Sequence, residues 1–464
     1  MAAASAMTPE WAVQILCKVR TDPGRRRRSN TNDHWRDHEA RSMTSTTEPL
    51  GGPTAVDSAA LGVTRPFYVY AVLANAVFQR GVFVIFLLQQ GFSAAQVALL
   101  QTLVYLVSGL AELPTGFIAD RVGRRASIVI GQLLIAGCLL GQVTLSGYGV
   151  FLALFVVHGV GMAFVSGAET ALLYDLLVRR GARASYVKVK SRFNMLGTVT
   201  SGAAIALGGQ LQRLSWEVVY VGSAACLVLA VVVLVSRVPE IRGADAVDEQ
   251  DGAEDEHGDA TAWRALLRVA TPALVTLVVV SGLMHATLTP YFIFAQQTLS
   301  AQGAGTALVS VVISAGFLVG GLTPLLSARA DRRFGYRFLV PLALLALAAA
   351  LGLSGLGLVW VTVAAFLVLV GIPDISVVIV DNVFNEAVPS RYRASLLSMI
   401  TFVESVLIGC GYLTMGALMD GLGASVGMAA YAAVPMLACL LWLPVLFRGA
   451  RVTGEIGKAD PGAS

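Results

Sequence analysis

The chain has 464 residues, of which 56% are hydrophobic and 13% charged, with a formal net charge of +4 and a mean hydropathy of +0.72. So little charge excludes an ordinary soluble globular protein and points to lipid as the solvent. The five cysteines and five histidines are scattered. No His-x-x-x-His, Cys-x-x-Cys or phosphate-binding Gly-Lys-Ser/Thr occurs, which argues against a metalloenzyme or an ATP-driven pump and leaves no cofactor to expect.

Residues 1–65 are polar and include the run Arg25-Arg26-Arg27-Arg28 with no apolar stretch close behind it. They read as a disordered tail, or as an overextended start with translation beginning at Met43, and not as a signal peptide or a nucleic-acid arm. A membrane-spanning helix takes roughly 20 apolar residues. Apolar runs of that order lie near 66–90, 94–115, 126–146, 149–176, 191–211 and 217–236, an N-terminal six-helix bundle over 66–237. Residues 238–268 then carry a run of acids from Glu240 to Asp259, which reads as a solvated linker. Six further runs follow, near 270–296, 304–327, 338–358, 359–387, 394–419 and 424–448, forming a second bundle over 269–448 ahead of a short tail, 449–464. The expected fold is all-α and integral to the membrane, with twelve transmembrane helices in two six-helix bundles.

Positive loops resist translocation and stay in the cytoplasm. Of the 33 Lys and Arg residues, all but Arg80, inside the first run, and Arg213 fall in the two tails or in loops after even-numbered runs. Both termini are therefore expected in the cytoplasm, with an even number of spans between them.

The segment Gly116-Phe-Ile-Ala-Asp120-Arg121-Val-Gly123-Arg124-Arg125 has a degraded copy in Ser327-Ala-Arg-Ala-Asp331-Arg332-Arg333-Phe-Gly335-Tyr-Arg337. An interval of 211 positions carries Asp120 onto Asp331 and Asp175 onto Glu386. Gln89-Gln90 is similarly matched by Gln296-Gln297. Together these argue for two parallel six-helix repeats about an axis along the membrane normal.

Preceded by Glu112-Leu-Pro-Thr, the segment Gly116–Arg125 closely resembles the signature loop between helices 2 and 3 of the major facilitator superfamily, and the weaker copy sits where that family has its second one. Ser166–Asp175 and Arg393–Ser398 look like stretches common in bacterial members. The resemblance covers about residues 66–448. It implies that Asp120 latches the cytoplasmic side against the other half, with Gly116, Arg121 and Gly123 shaping the loop. Arg124 would then pair with an acid of helix 4, Asp175, and by symmetry Arg337 with Glu386. The plainer alternative is that these residues only fix topology and loop structure.

Charges deep in a membrane are costly and are functional candidates by default. Arg80, next to Gln79 near the middle of the first run, should face a cavity or an acid and is the leading candidate for a substrate contact. Glu169, Asp374, Asp381 and Glu404 are its potential counter-charges, and His158 and His285 titrate in a physiological range when unperturbed. Each has a bland counterpart. Glu169 and Asp381 can simply extend the cytoplasmic charge relay, Asp374 can cap a helix broken at Gly371-Ile-Pro373, and the two histidines can be packing residues. His158 stands where many family members carry Arg, which weakens a proton relay through helix 4. The aromatics Tyr68, Tyr70, Phe78, Phe83, Tyr291 and Phe292 read as lipid-facing or interfacial before pocket-lining. Glycines 197, 202, 208 and 209 in the fifth run and Gly316-x-x-x-Gly320 in the eighth read as close-packing faces, and in the family these two helices meet across the halves.

The expectation from sequence is a secondary transporter of the plasma membrane of a bacterium, working by alternating access. It would move a small-molecule substrate with protons as the coupling ion, by export of an amphipathic compound or by movement of an organic anion in either direction. Helix 5 ends Leu207-Gly-Gly-Gln210, without the Gly-Pro-x-x-Gly-Gly pattern of typical drug/proton antiporters. A non-transporting sensor and a membrane-embedded transferase are the rival classes; the first would carry a soluble domain and the second a polar catalytic cluster. The chain is therefore read as no enzyme.

Overall fold

The computed structural model describes the backbone of residues 53–240, 272–387 and 393–448; most of the acidic linker lies outside them. Among the described residues the helices group into twelve, six on either side of the linker. The N-terminal bundle contains α1 in two pieces (α1a, Pro53–Ala74; α1b, Phe83–Gln89) with a 3-10 turn, Phe78–Gly81, between them. It continues with α2 (Ala94–Val122), α3 (Arg124–Thr144), α4 (Tyr148–Arg179), α5 (Tyr186–Leu211) and α6 (Trp216–Arg237). The second bundle contains α7 (Pro272–Ala301), α8 (Thr306–Leu322), α9 (Tyr336–Ser354), α10a (Val359–Leu369), α10b (Gly371–Ala387), α11 (Arg393–Leu422), α12a (Ala424–Ala430) and α12b (Ala433–Arg448). Among the described residues nine helical segments are long and apolar enough to cross a membrane, and α8 is a shorter apolar helix.

Several boundaries differ from those expected. α1a begins at Pro53, inside the segment read as tail, and the first span is broken where a continuous helix was expected. α2 runs on to Val122, so most of the segment Gly116–Arg125 is helix and the loop shrinks to Gly123. Its degraded copy is helical too, as the short helix Ser327–Phe334. Gly123 (φ 112°) and Gly335 (φ 71°) stand at matching places in the two repeats, each turning the chain into the next span with a φ that side chains rarely tolerate. α2 starts on a capping box, in which Ser93 Oγ accepts from Gln96 N and Gln96 Oε1 accepts from Ser93 N.

Lipid, being as apolar as leucine, does not drive helices together, so small residues and polar contacts decide which faces meet. Helices α2 and α11, and α5 and α8, pack along each other and join the halves. The α5–α8 contact uses Gly202 against Leu318 and Gly209 against Ser310 and Thr306, as the resemblance implied. Gly316 and Gly320 do something else: they receive Phe366 of α10a and Asp374 of α10b, within their own half. The lipid-facing expectation also fails for Tyr70, Tyr291 and Phe292, which are buried among protein side chains: Tyr70 bonds Glu169 and Gln132 within the first half, and Tyr291 and Phe292 pack on Phe366 within the second. The exposed apolar side chains are instead Leu110, Val199, Leu229, Val232, Phe338 and Trp360, among others.

The basic loops lie at one end of the bundle, here called the basic face, and the loops after odd-numbered spans at the other, the neutral face. Inter-half hydrogen bonds gather from the neutral face to mid-depth. Asp420, at the end of α11, accepts from Ala94 N (2.8 Å) and Ala95 N (2.9 Å) at the start of α2, where unsatisfied amides and the helix dipole favour a carboxylate. At the matching place in the other repeat, Thr306 Oγ1 bonds Gln212 Oε1 (2.7 Å). Thr102 Oγ1 lies 3.1 Å from Gly409 O and Ser314 Oγ donates to Gly202 O at 2.6 Å. Asp120, Arg121, Asp331, Arg332 and Arg333 on the basic face are exposed. The conformation is one in which the neutral face is sealed.

A Cβ on Gly208 would overlap the carbonyl oxygen of Phe78 in the break of α1. Gly208→Ala is expected to cost about 1–3 kcal/mol by overpacking against backbone that cannot retreat, read as a lowered thermal unfolding midpoint in detergent. Gly137→Ala, at an exposed helical position with open space around it, should be neutral or slightly stabilising in the same measurement.

Candidate substrate and coupling site

The break in α1 places Arg80 in a 3-10 turn rather than mid-helix. Its guanidinium lies over the Phe317 ring of α8, 5.0 Å from the centroid, an attraction between a cation and the ring's negative face. The hydroxyls of Tyr105 (α2) and Tyr412 (α11) are within its electrostatic reach, and those two rings pack 5.7 Å apart. Gln79 is buried, and its Oε1 has no hydrogen-bond partner among the described residues. The first half thus contributes a cation, an amide and the Tyr105 ring, and the second the rings of Phe317 and Tyr412.

The turn is held open by side chains from elsewhere. Ser223 Oγ of α6 accepts from Phe78 N (3.0 Å). Gln296 of α7 accepts from Val84 N through Oε1 (3.2 Å) and donates from Nε2 to Arg80 O (3.1 Å). The sequence had marked Gln296 only as half of a repeated Gln-Gln pair. Its counterpart Gln89 does other work, accepting from Trp216 Nε1 at 2.9 Å.

In the second half, the structure brings together three residues singled out separately. His285 Nδ1 (α7) lies 3.4 Å from Glu404 Oε1 (α11), and Ser281 Oγ, one turn away on α7, donates to the same oxygen at 3.1 Å. Asp374 is within electrostatic reach of His285. It sits in the first turn of α10b, just past the break at Val370, buried against Gly320. A Cβ at residue 320 would stand 2.6 Å from Asp374 Oδ2, so only glycine leaves room for the carboxylate. Glu404 and His285 are in contact, and Asp374 lies within electrostatic reach of the imidazole, so two acids and an imidazole from three helices act on one another.

Glu169 is not part of it. It accepts a hydrogen bond from Tyr70 OH of α1a, which in turn accepts from Gln132 Nε2 of α3 at 2.9 Å. Nearby, Lys190 Nζ donates to Thr170 Oγ1 at 2.9 Å. This network lies within the first half, toward its basic end. His158 makes no hydrogen bond or ion pair among the described residues and stands apart from the His285–Glu404 contact. Asp381 and Glu386 fall in α10b with side chains outside the described residues, as does any partner of Arg337 among them.

On the basic face, Arg124 pairs with Asp175 and donates to Ala171 O at 3.0 Å. Arg121 lies over its neighbour Phe117, 4.0 Å from the ring centroid. A residue that the sequence assigned to the linker belongs here as well. Glu240 accepts from Arg125 N (3.0 Å) and Arg125 Nε (3.2 Å), and Arg125 Nη1 donates to Val238 O at 2.8 Å. Gly123 has no side chain with which to cap α3, and the carboxylate of Glu240 caps it from a distance in sequence. A Cβ on residue 123 would collide with that carboxylate. Composition alone hid this, since Glu240 is one acid in an acidic run.

Residues 69–372 match the family described as the Major Facilitator Superfamily. Among curated proteins, the chain is similar to two from Candida glabrata. It is 30% identical to multidrug transporter AQR1 over 117 residues (24% of this chain, 20% of the relative) and 26% identical to multidrug transporter QDR2 over 134 residues (28% and 22%). The chain thus spans about a fifth of the length of the curated relatives it matches. Among solved structures, a mutant of nucleoside transporter NupG superposes with a TM-score of 0.70 at 15% identity, covering 84% of this chain and 100% of that one. A bacterial homologue of the human lysosomal transporter Spinster, in an inward-facing and occupied conformation, gives 0.64 at 16% (89% and 100%). The D-xylose-proton symporter gives 0.60 at 15% (86% and 98%). At such identities the likeness shows the fold.

Gly123→Ala is expected to destabilise by about 1–3 kcal/mol, because its backbone (φ 112°, ψ 144°) belongs to glycine and because the new methyl meets Glu240. Adding Glu240→Ala should recover the steric part and not the backbone part. A double-mutant cycle on thermal stability that shows no coupling between the two positions would contradict the cap.

Proposed function

The chain belongs to the Major Facilitator Superfamily, and from that premise we propose that it is a secondary active transporter coupling proton movement to the export of a small amphipathic compound. The carrying observation is the His285–Glu404 contact with Asp374 beside it, at membrane depth on three different helices of one half. A charge so placed is costly unless compensated. The cluster can hold different numbers of protons, and each change alters the attraction between α7 and α11. Helix α7 also carries Gln296 to the contact between halves, so a change in protonation acts on the element that touches the sealed face.

Arg80, Phe317, Tyr105 and Tyr412 supply a cation, an aromatic face and two hydroxyls for the cargo. That set suits a molecule with an apolar body and a polar or anionic end. The similarity to two multidrug transporters of Candida glabrata favours export. A second reading, transport of an organic anion in either direction, is favoured by Arg80 itself, a cation where an exporter of cations would want an acid. The basic face would be cytoplasmic, and both termini with it, by the distribution of Lys and Arg. The membrane would be the plasma membrane of a bacterium. The exposed Asp120 and Asp331 would form the cytoplasmic latch when the basic face closes, with the Arg124–Asp175 pair as its fixed support.

The test is proton movement in proteoliposomes under an imposed pH gradient, with a panel of amphipathic and anionic compounds. Wild type is expected to show compound-dependent proton flux, and Glu404→Gln to fall to the level of empty vesicles while still binding the compound. Arg80→Ala should weaken anionic compounds by about 10- to 100-fold, the worth of a hydrogen bond to a charged group, and neutral ones far less. Flux that survives Glu404→Gln intact would remove the cluster from the coupling step.

A further inference from the structure

We propose that Gln296 is a positioning residue that ties the presentation of Arg80 to the closure of the neutral face. This rests on the transporter reading above and names a part for a residue which that reading leaves without one. A helix broken inside a membrane exposes amides and carbonyls with no water to satisfy them. In α1 two such groups, Val84 N at the start of α1b and Arg80 O in the 3-10 turn, are answered by one side chain. Glutamine suits this because it has an acceptor and a donor on the same planar group. Gln296 is fully buried, and it comes from the opposite half of the molecule.

Besides Ser310 of α8, whose backbone lies beside Gly81 from the opposite half, further supports come from the break's own half: Ser223 on Phe78 N, Ile205 beside Gly81, and Gly208 beneath Phe78 O. The own-half contacts move with α1 when the halves swing. The two bonds from Gln296 do not, and neither does the Phe317 ring under the Arg80 guanidinium, since α8 belongs to the opposite half. Separation of the halves at the neutral face therefore strips the Arg80 carbonyl of its partner and the guanidinium of its ring in one movement. The state that offers Arg80 to the basic face is the state that Gln296 holds shut. By linkage, whatever favours one must favour the other.

The experiment reads the distance between spin labels at Gln90→Cys and Ala301→Cys, at the neutral ends of α1b and α7, in lipid nanodiscs with the native cysteines replaced by serine and no compound added. The parent should show mainly a short distance. Gln296→Leu, close in size and lacking both bonds, should raise the ratio of long to short distances about tenfold, as expected for the loss of two ordinary hydrogen bonds. Gln296→Met, of similar length and with no N–H or O–H donor, should shift the ratio in the same direction. If the leucine variant does not fold, the methionine variant carries the test. An unchanged distribution in a folded variant overturns the proposal, even if its thermal stability falls, because a merely structural glutamine would lower stability without moving the labels. The distances need no cargo and no proton gradient. A parent that moves no compound, with the shift still present, counts against the transporter reading and leaves this one standing.

Discussion

Inside a membrane every backbone amide and carbonyl must find its partner within the protein, and the break in α1 is the place where this chain accepts that demand in order to bring a cation to its centre. The gap between Ala74 and Phe83 leaves several polar groups outside any helix. Each neighbouring helix is shaped around them: α5 by Gly208, α6 by Ser223, α7 by Gln296. The second half repeats the device in weaker form. The break between α10a and α10b places Asp374 in a first helical turn, and Gly320 makes room for it. Both breaks set an ionisable group at depth, one in each half: Arg80 against Phe317 of the opposite half, and Asp374 against Gly320 of its own.

The two charged regions differ in their surroundings. Arg80 sits among rings and hydroxyls, surfaces that can adapt to a visiting molecule. In the second region His285 and Glu404 face each other directly, with Asp374 within electrostatic reach of the imidazole, so the charge of one depends on the protonation of the others. A division of labour follows, with cargo met at Arg80 and charge changed at the cluster, and α7 and α8 linking them. Closure at the neutral face combines short polar contacts and small residues with a buried apolar cluster that includes Val84, Val97 and Ala98 of the first half and Leu299, Met415 and Met419 of the second. Gly416 fits against Ala98 and the carbonyl of Ala94, where a Cβ would stand 2.6 and 2.8 Å away.

The basic face is built on the opposite plan. Arg124 with Asp175, and Arg125 with Glu240, knit the ends of α2, α3, α4 and α6 into one unit within a half. The exposed acids and arginines beyond them are left available. Exposed pairs of this kind are individually weak, which suits a contact that must form and break in each cycle.

The sequence by itself determined the number of spans, the two-bundle division and the repeat, because apolar run length and loop charge are local quantities that a bilayer reads directly. It also marked Arg80, His285, Asp374 and Glu404, since a charge in an apolar run needs no partner to be conspicuous. What it could not determine was their grouping. His285 and Glu404 stand 119 positions apart and Asp374 lies on a third helix, so only the packing of α7, α10 and α11 makes them one cluster. The same holds for Gln296 and Glu240, ordinary polar residues by composition, whose parts depend on backbone groups that a distant segment leaves unsatisfied. Even the break in α1 is a tertiary decision. The residues around Arg80 have no proline to force it, and the turn exists because side chains from α5, α6 and α7 satisfy what the helix gives up.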